Sequence, residues 1–73
     1  MEILLSERAI LELHKLGVTK EDALDAAVLP DIIEELPDGK KEFFKRFGEK
    51  ALKLIVIVEN QSKIVVLSAK WEK

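Results

Sequence analysis

The clearest chemical signal in this sequence is a short run in which aromatic and basic residues are mixed. Phe43, Phe44 and Phe47 are interleaved with Lys45 and Arg46. Such a strand can bind single-stranded nucleic acid, because bases stack on aromatic rings while cations contact phosphates. Successive strand residues face opposite sides, so Lys45 shares a face with Phe43 and Phe47. Arg46 shares the other face with Phe44. One phenylalanine set must therefore lie in the core, while the other is free to be exposed.

Acid–base, thiol and metal chemistry have few candidate residues. His14 is the only histidine, and the sequence has no cysteine and no tyrosine. The lack of cysteine excludes thiolate nucleophiles, cysteine-based zinc sites and disulfide scaffolds. Glu34, Glu35 and Asp38 lie close together but lack the regular spacing of a calcium loop, so we expect them to be solvated. We therefore expect no metal and no cofactor, and a surface position for His14.

The single tryptophan, Trp71, has two interpretations. An exposed tryptophan could stack on nucleobases, which is worth about 1–3 kcal/mol per base. Strand alternation instead places Trp71 in phase with Val65, Leu67 and Ala69, a set that we predict to face the helices. The phase favours a tryptophan that caps the core.

Two helices are predicted from capping residues and apolar spacing. Ser6 is a good N-cap for a helix over Glu7–Leu16, and Gly17 ends that helix because glycine readily adopts the left-handed conformation. Thr19 caps a second helix, which ends ahead of Pro30. We expect the following apolar residues to face the core: Ala9, Ile10, Leu13, Leu16, Ala23, Leu24, Ala27 and Val28.

The rest of the chain has the periodicity of strands. The predicted strands are Glu2–Leu5, Ile32–Leu36, Lys41–Phe47, Ala51–Val58 and Lys63–Trp71. Asp38-Gly39 between two extended runs indicates a hairpin. The most apolar run, Ala51–Val58, should lie in the middle of the sheet. The order β-α-α-β-β-β-β predicts an α+β fold, with two helices packed on one face of a mainly antiparallel four- to five-stranded sheet.

Length and composition restrict the chain to one domain over residues 1–73. A chain of 73 residues with 48% hydrophobic and 36% charged residues can build one compact core. The longest apolar run, Leu54 to Val58, is much shorter than a membrane span, and Met1 is followed by an acidic residue. We expect a cytoplasmic protein that does not bind a membrane.

The formal net charge of −2 conceals two halves of opposite sign. Residues 1–38 carry three basic and ten acidic side chains, a net of −7, whereas residues 39–73 carry nine basic and four acidic ones, a net of +5. The basic half could face a polyanion, or acidic helices could rest against a basic sheet and cancel its charge. We favour the second interpretation.

Several segments resemble the RelE/ParE-like toxin superfamily, most closely its compact members whose function is unknown. The segments are Leu5–Ala9, Leu16–Asp22, Gly48 ahead of Leu52–Val56, and Ile64–Trp71. Together they extend over nearly the whole chain. The related sequences commonly carry a histidine where this chain has Arg8.

The resemblance implies a RelE-like fold that serves metal-independent messenger-RNA endonucleases, gyrase-poisoning toxins and relatives without demonstrated activity. It implies that functional groups lie on the sheet and the last strand. Arg46, Lys53 and Lys70 are then the candidate catalytic residues. The candidate RNA-binding residues are Lys45, Arg46, Lys53, Lys70 and Trp71.

Two functions of different classes follow. The first is a toxin-like RNA-binding protein or endoribonuclease of a toxin–antitoxin type. The second is a catalytically inert interaction domain that homodimerises, or binds an antitoxin or another protein partner, through its sheet. Apolar residues on both faces of the central strands exceed what two short helices can cover, so we expect a homodimer.

Overall fold

The computed structural model describes residues 1–72 and contains two helices and one five-stranded sheet. In chain order the elements are β1 (Glu2–Leu5), α1 (Glu7–Leu16), α2 (Lys20–Val28), β2 (Ile32–Glu35), β3 (Lys41–Phe47), β4 (Lys50–Glu59) and β5 (Lys63–Glu72). The predicted α+β class and element order are confirmed, and the strand ends differ from the predicted ones by at most one residue.

The helix ends are those that the capping residues predict. The Ser6 hydroxyl accepts a hydrogen bond from the Ala9 amide at 3.1 Å, and the Thr19 hydroxyl accepts one from the Asp22 amide at 3.1 Å. Gly17 adopts φ +74°, which favours a residue without a Cβ. Within residues 1–72, neither helix is long and apolar enough to cross a membrane.

The sheet is mixed rather than mainly antiparallel. Its strand order is β1-β5-β4-β3-β2, so β4 lies in the middle as predicted. Strands β2 to β5 form an antiparallel meander, while β1 pairs with β5 in parallel. The parallel pairing arises because α1 and the rest of the chain separate β1 from β5, which allows a crossover connection instead of a hairpin.

A single core cluster joins the sheet to both helices. Its largest fully buried members are Leu52, Leu54, Val56 and Val66. The helices contribute one leucine, Leu13, and four alanines: Ala9, Ala23, Ala26 and Ala27. Small helix residues allow the helix backbones to approach the sheet closely, so the strands supply most of the buried volume.

Two predicted core residues of the helices are instead exposed. Ile10 is 50% exposed and Val28 is 52% exposed. Each lies next to a buried alanine, Ala9 or Ala27, that occupies the side of the helix nearest the sheet. On each helix the apolar stripe is therefore wider than the surface that the sheet buries, and its edge, at Ile10 in α1 and Val28 in α2, is exposed.

The predicted faces of β5 are wrong in its first half. A register shift lies opposite Ile55 and Val56, because Ile55 pairs with Ser68 whereas Val56 pairs with Val66. Leu67 is the extra residue, so alternation reverses across it. The inward-facing residues are Ile64, Val66, Ala69 and Trp71, and not Val65 and Leu67.

Helix α1 lies along β5 beyond the point where β1 ends. The Ser6 hydroxyl donates to the Leu67 carbonyl at 3.0 Å, and the Ala69 amide donates to Glu12 Oε1 at 2.9 Å. Trp71 Nε1 donates to the Leu16 carbonyl at 3.3 Å. The first two bonds satisfy backbone groups of β5 that would otherwise lack a partner, because β1 pairs only with Lys63–Val66. The Trp71 bond satisfies a carbonyl at the end of α1.

Candidate functional site

Alternation and cross-strand pairing divide the sheet into two faces. The core face carries Leu52, Leu54 and Val56 of β4. We call the other side the second face. Its apolar residues are Leu4, Ile32, Phe44, Ile55, Ile57 and Val65, as the cross-strand pairs show. Most of them are half-buried, and Leu4 and Ile32 are exposed.

The candidate residues from the sequence fall on both faces. Arg46, Lys53 and Lys70 lie on the second face, where Lys53 pairs across the strands with Lys70. Lys45 and Trp71 lie on the core face. Both are cross-strand neighbours of Leu52, Lys45 on the β3 side and Trp71 on the β5 side. The sheet therefore brings three of the candidate residues to one surface and separates the other two from them.

Lys53 is held between two carboxylates. Its Nζ lies 3.6 Å from Glu42 Oε2 and 3.9 Å from Glu72 Oε1, and its side chain is only 18% exposed. Lys70 Nζ lies 3.7 Å from Glu72 Oε2. The Lys53–Glu42 pair is partly shielded from water, which strengthens it, whereas Lys70 is exposed. Each of the two lysines has a carboxylate of the chain itself as its neighbour.

A pocket of about 190 Å³ lies beside this network, between α1 and β5. Arg8 and Glu12 of α1 line it together with Lys53, Ser68 and Lys70. Arg8 Nε donates to Glu12 Oε2 at 3.2 Å. The sequence pattern predicts no site role for Arg8, Glu12 or Ser68. The i,i+4 spacing of Arg8 and Glu12 on a helix does indicate that these two residues pair.

The charges in and around this pocket cancel. Three cations, Arg8, Lys53 and Lys70, are each within 4.0 Å of a carboxylate of the chain. The three carboxylates are Glu12, Glu42 and Glu72. A phosphate entering the pocket would have to displace these carboxylates, so the site lacks the excess positive charge that a polyanion requires.

The Glu12 carboxylate is stabilised in its charged form. The hydrogen bond from the Ala69 amide holds the pKa of Glu12 below its usual value, and the nearby Arg8 guanidinium lowers it further. Desolvation acts in the opposite direction but does not prevail. A carboxylate with a lowered pKa is a poor proton donor or acceptor near neutral pH, so Glu12 has a structural role here.

The core-face candidates have structural contacts. Lys45 Nζ lies 3.9 Å from Asp31 Oδ1. The Trp71 ring packs against the core and meets Phe47 edge-on, with ring centroids 6.3 Å apart. Lys50 Nζ lies 5.4 Å from the centroid of the Trp71 ring. Trp71 thus covers one end of the core. The Lys50 ammonium lies over its ring, and its indole N–H donates to the Leu16 carbonyl of α1.

The aromatic cluster divides as the alternation predicts. Phe43 is buried and Phe47 packs against the core, whereas Phe44 lies on the second face with Arg46. The Arg46 backbone amide donates to Asp31 Oδ2 at 2.8 Å. Arg46 is exposed, and within residues 1–72 its guanidinium makes no ion pair, unlike Lys45, Lys53 and Lys70.

Strand β2 forms an edge of the sheet whose residues are all exposed. Val28, Leu29, Ile32 and Ile33 are between 52% and 64% exposed, and we call these residues the β2 patch. They surround the junction of α2 and β2. An apolar group of this kind beside an unpaired strand edge is typical of an interaction surface.

A second apolar depression lies at the opposite edge of the sheet, between β1 and α1. It has a volume of about 480 Å³ and is lined mainly by apolar side chains. His14 and Lys20 are the basic residues in its lining. His14 is exposed, as the sequence predicts.

No group of metal-ligating side chains occurs in the described part of the chain that could hold a metal ion. Glu34, Glu35 and Asp38 are all exposed. No protein-family model matches the chain, and neither a curated protein nor a solved structure is significantly similar to it.

Proposed function

We propose that this chain is a catalytically inert interaction domain that homodimerises through the second face of its sheet. In this arrangement both helices cover the core face, and a second copy covers the other. The observation that carries the proposal is the half-buried apolar group on the second face, centred on Ile55, Ile57 and Val65.

Charge balance supports a second copy as the occupant of this face. Cross-strand pairing places five carboxylates and four cations on it: Glu2, Glu34, Glu42, Glu59, Glu72, Arg46, Lys53, Lys63 and Lys70. Most of these are already paired within the chain, as Lys63 is with Glu59 at 3.7 Å. A nearly neutral apolar face can meet a copy of itself without strong like-charge repulsion.

The RelE/ParE-like resemblance supports a different function, RNA binding or metal-independent RNA cleavage. Arg46, Lys53 and Lys70 do share a face, which that function requires. Two of the three are paired with carboxylates, however, and the candidate aromatic residue Trp71 lies on the other face. The geometry therefore favours the interaction domain, with RNA binding as the alternative.

Sedimentation velocity tests the dimer directly. Between about 1 and about 200 µM, we expect the wild-type chain to shift from monomer to dimer. Ile57→Lys places a charge in the centre of the second face and should abolish the dimer. Leu11→Lys is the matched control, since Leu11 is an exposed leucine of α1, and should leave the dimer intact.

Two results would contradict this proposal. One is a wild-type chain that stays monomeric over the whole concentration range. The other is tight binding of a single-stranded RNA that weakens steeply with salt and is lost in Arg46→Glu. The second result would support the RNA function instead.

A further inference from the structure

We propose that the outer edge of β2 binds an extended segment of another protein, which adds to the sheet as a sixth strand. The segment carries basic residues next to a pair of bulky apolar residues. This site is separate from the centre of the second face, so it remains available when a dimer forms there. The inference therefore goes beyond the proposed dimer.

The backbone of β2 offers hydrogen-bonding groups to such a strand. The Leu36 amide donates to the Lys40 carbonyl at 2.9 Å. Hydrogen-bonded pairs recur at every second residue of an antiparallel ladder, so Glu34 and Ile32 also direct their backbone groups towards β3. The intervening residues, Ile33 and Glu35, direct their amides and carbonyls away from β3. All four residues of β2 are exposed, so no other part of the described chain covers this edge.

The side chains at this edge specify the chemistry of the partner. Residues 21–38 contain seven acidic residues and no lysine or arginine. Three of the seven are paired with lysines of the β3 region, at distances of 3.3 to 3.9 Å: Asp31, Glu35 and Asp38. Glu34 has no ion-pair partner among residues 1–72. The edge is therefore acidic overall, which favours a basic strand over a second copy of β2.

Strand β3 shows which sequence pattern fits β2. On the inner side of β2, Phe43 and Phe44 lie opposite Ile33 and Ile32, and Lys41 lies opposite Glu35. Glu42 lies opposite Glu34, and its charge is offset by Lys53 at 3.6 Å. The outer side presents the same four residues of β2 to an incoming strand. An antiparallel segment with two basic residues followed by two apolar residues would therefore place cations beside both glutamates.

The β2 patch adds apolar contact area. Val28 and Leu29 lie at the end of α2 on the chain just before β2, and both are more than half exposed. A bulky apolar residue opposite Ile33 would extend towards them, because Ile33 shares the core face with Phe43. Burial of these residues would give the added strand a driving force beyond its backbone hydrogen bonds.

A synthetic peptide with the sequence of residues 40–46, altered by Glu42→Lys so that a cation meets Glu34, is the direct probe. It contains three lysines ahead of the paired phenylalanines and is strongly basic. We expect the labelled peptide, blocked at both ends, to bind the full chain in fluorescence anisotropy. A second peptide with its basic residues changed to glutamine should bind much more weakly.

Two matched variants locate the site. Glu34→Lys should weaken binding by about fivefold or more at low salt, because it replaces an attraction by a repulsion. Glu2→Lys makes the same charge change on the other edge strand, β1, and should leave affinity within about twofold. Circular dichroism melts would verify that both variants are folded. Hydrogen exchange should show slower exchange of the Ile33 and Glu35 amides on peptide binding.

Four outcomes would overturn the inference. The first is that both charge variants weaken binding equally. The second is that the protected amides lie in β1, and the third is that no binding occurs at low salt. The fourth is that Ile33→Lys dissociates a dimer that Ile57→Lys leaves intact, which would make a second copy the occupant of the β2 edge. If the peptide does not bind but the chain still forms a dimer that Ile57→Lys abolishes, the β2-edge inference is wrong and the proposed dimer is unaffected.

Discussion

At the scale of single residues, neighbouring carboxylates decide whether a basic side chain is available to bind an anion. Lys53 would be a strong candidate for phosphate binding if it were isolated, but Glu42 and Glu72 lie within 4.0 Å of it. The residue types in the sequence do not reveal this, because residues 42, 53 and 72 belong to three different strands. Cross-strand register brings them together.

Glu12 provides a residue-scale prediction on stability and pH. The folded pKa of Glu12 lies below its unfolded value, so its charged form stabilises the fold above the unfolded pKa. That contribution is lost as pH falls through the folded pKa. We expect Glu12→Gln to lower the free energy of unfolding near pH 7 by about 0.5–1 kcal/mol, since the site is partly exposed.

Urea unfolding between about pH 7 and about pH 2 measures this effect. The difference between wild type and Glu12→Gln should shrink as the solution becomes acidic. Glu49→Gln, a change at an exposed turn residue, is the control and should have little effect at any pH. A difference that is constant with pH would show that the charge of Glu12 does not contribute.

At the scale of elements, the bulge in β5 decides which side chains enter the core. Val65 and Val66 are adjacent and identical, yet Val66 is fully buried and Val65 lies on the second face. Regular alternation back from Trp71 would give the opposite assignment. Helix α1 supports the irregular part of the strand, because Ser6 and Glu12 bind its backbone on either side of Ser68.

A pair of threonine substitutions tests this assignment. Val66→Thr buries a hydroxyl in the core and should lower the free energy of unfolding by about 1–3 kcal/mol. Val65→Thr should cost less than about 0.5 kcal/mol in the monomer, because a partly exposed hydroxyl retains water. Urea unfolding at low protein concentration measures both. A larger loss for Val65→Thr would mean that the strand lacks the bulge.

At the scale of the whole molecule, charge compensation is local. The interpretation that acidic helices cancel a basic sheet is not what the ion pairs within residues 1–72 show. Those pairs lie within α1 or within the sheet and its turns. The acidic excess of the first half is left at α2 and β2, which is why the molecule has one acidic edge.

This charge layout predicts that the two proposed interactions respond differently to salt. Raising sodium chloride from about 50 to about 300 mM should change the dimer dissociation constant by less than about threefold, because the second face is nearly neutral. The same change should weaken peptide binding at the β2 edge by at least about fivefold. Sedimentation and anisotropy measure the two quantities. A strongly salt-dependent dimer would contradict the neutral interface.

The sequence by itself determined the elements of this protein and their limits. Capping at Ser6 and Thr19, the stop at Gly17 and the two-residue period of the strands are local interactions, which neighbouring residues specify. The split of the phenylalanines between the two faces also follows from local alternation.

Only the tertiary structure decided the parallel pairing of β1, the reversal of faces at Leu67 and the neutral surroundings of Lys53. Each depends on which distant segments meet and in which register. Register is set by the packing of the whole sheet and α1 together, and no short window of sequence contains that information.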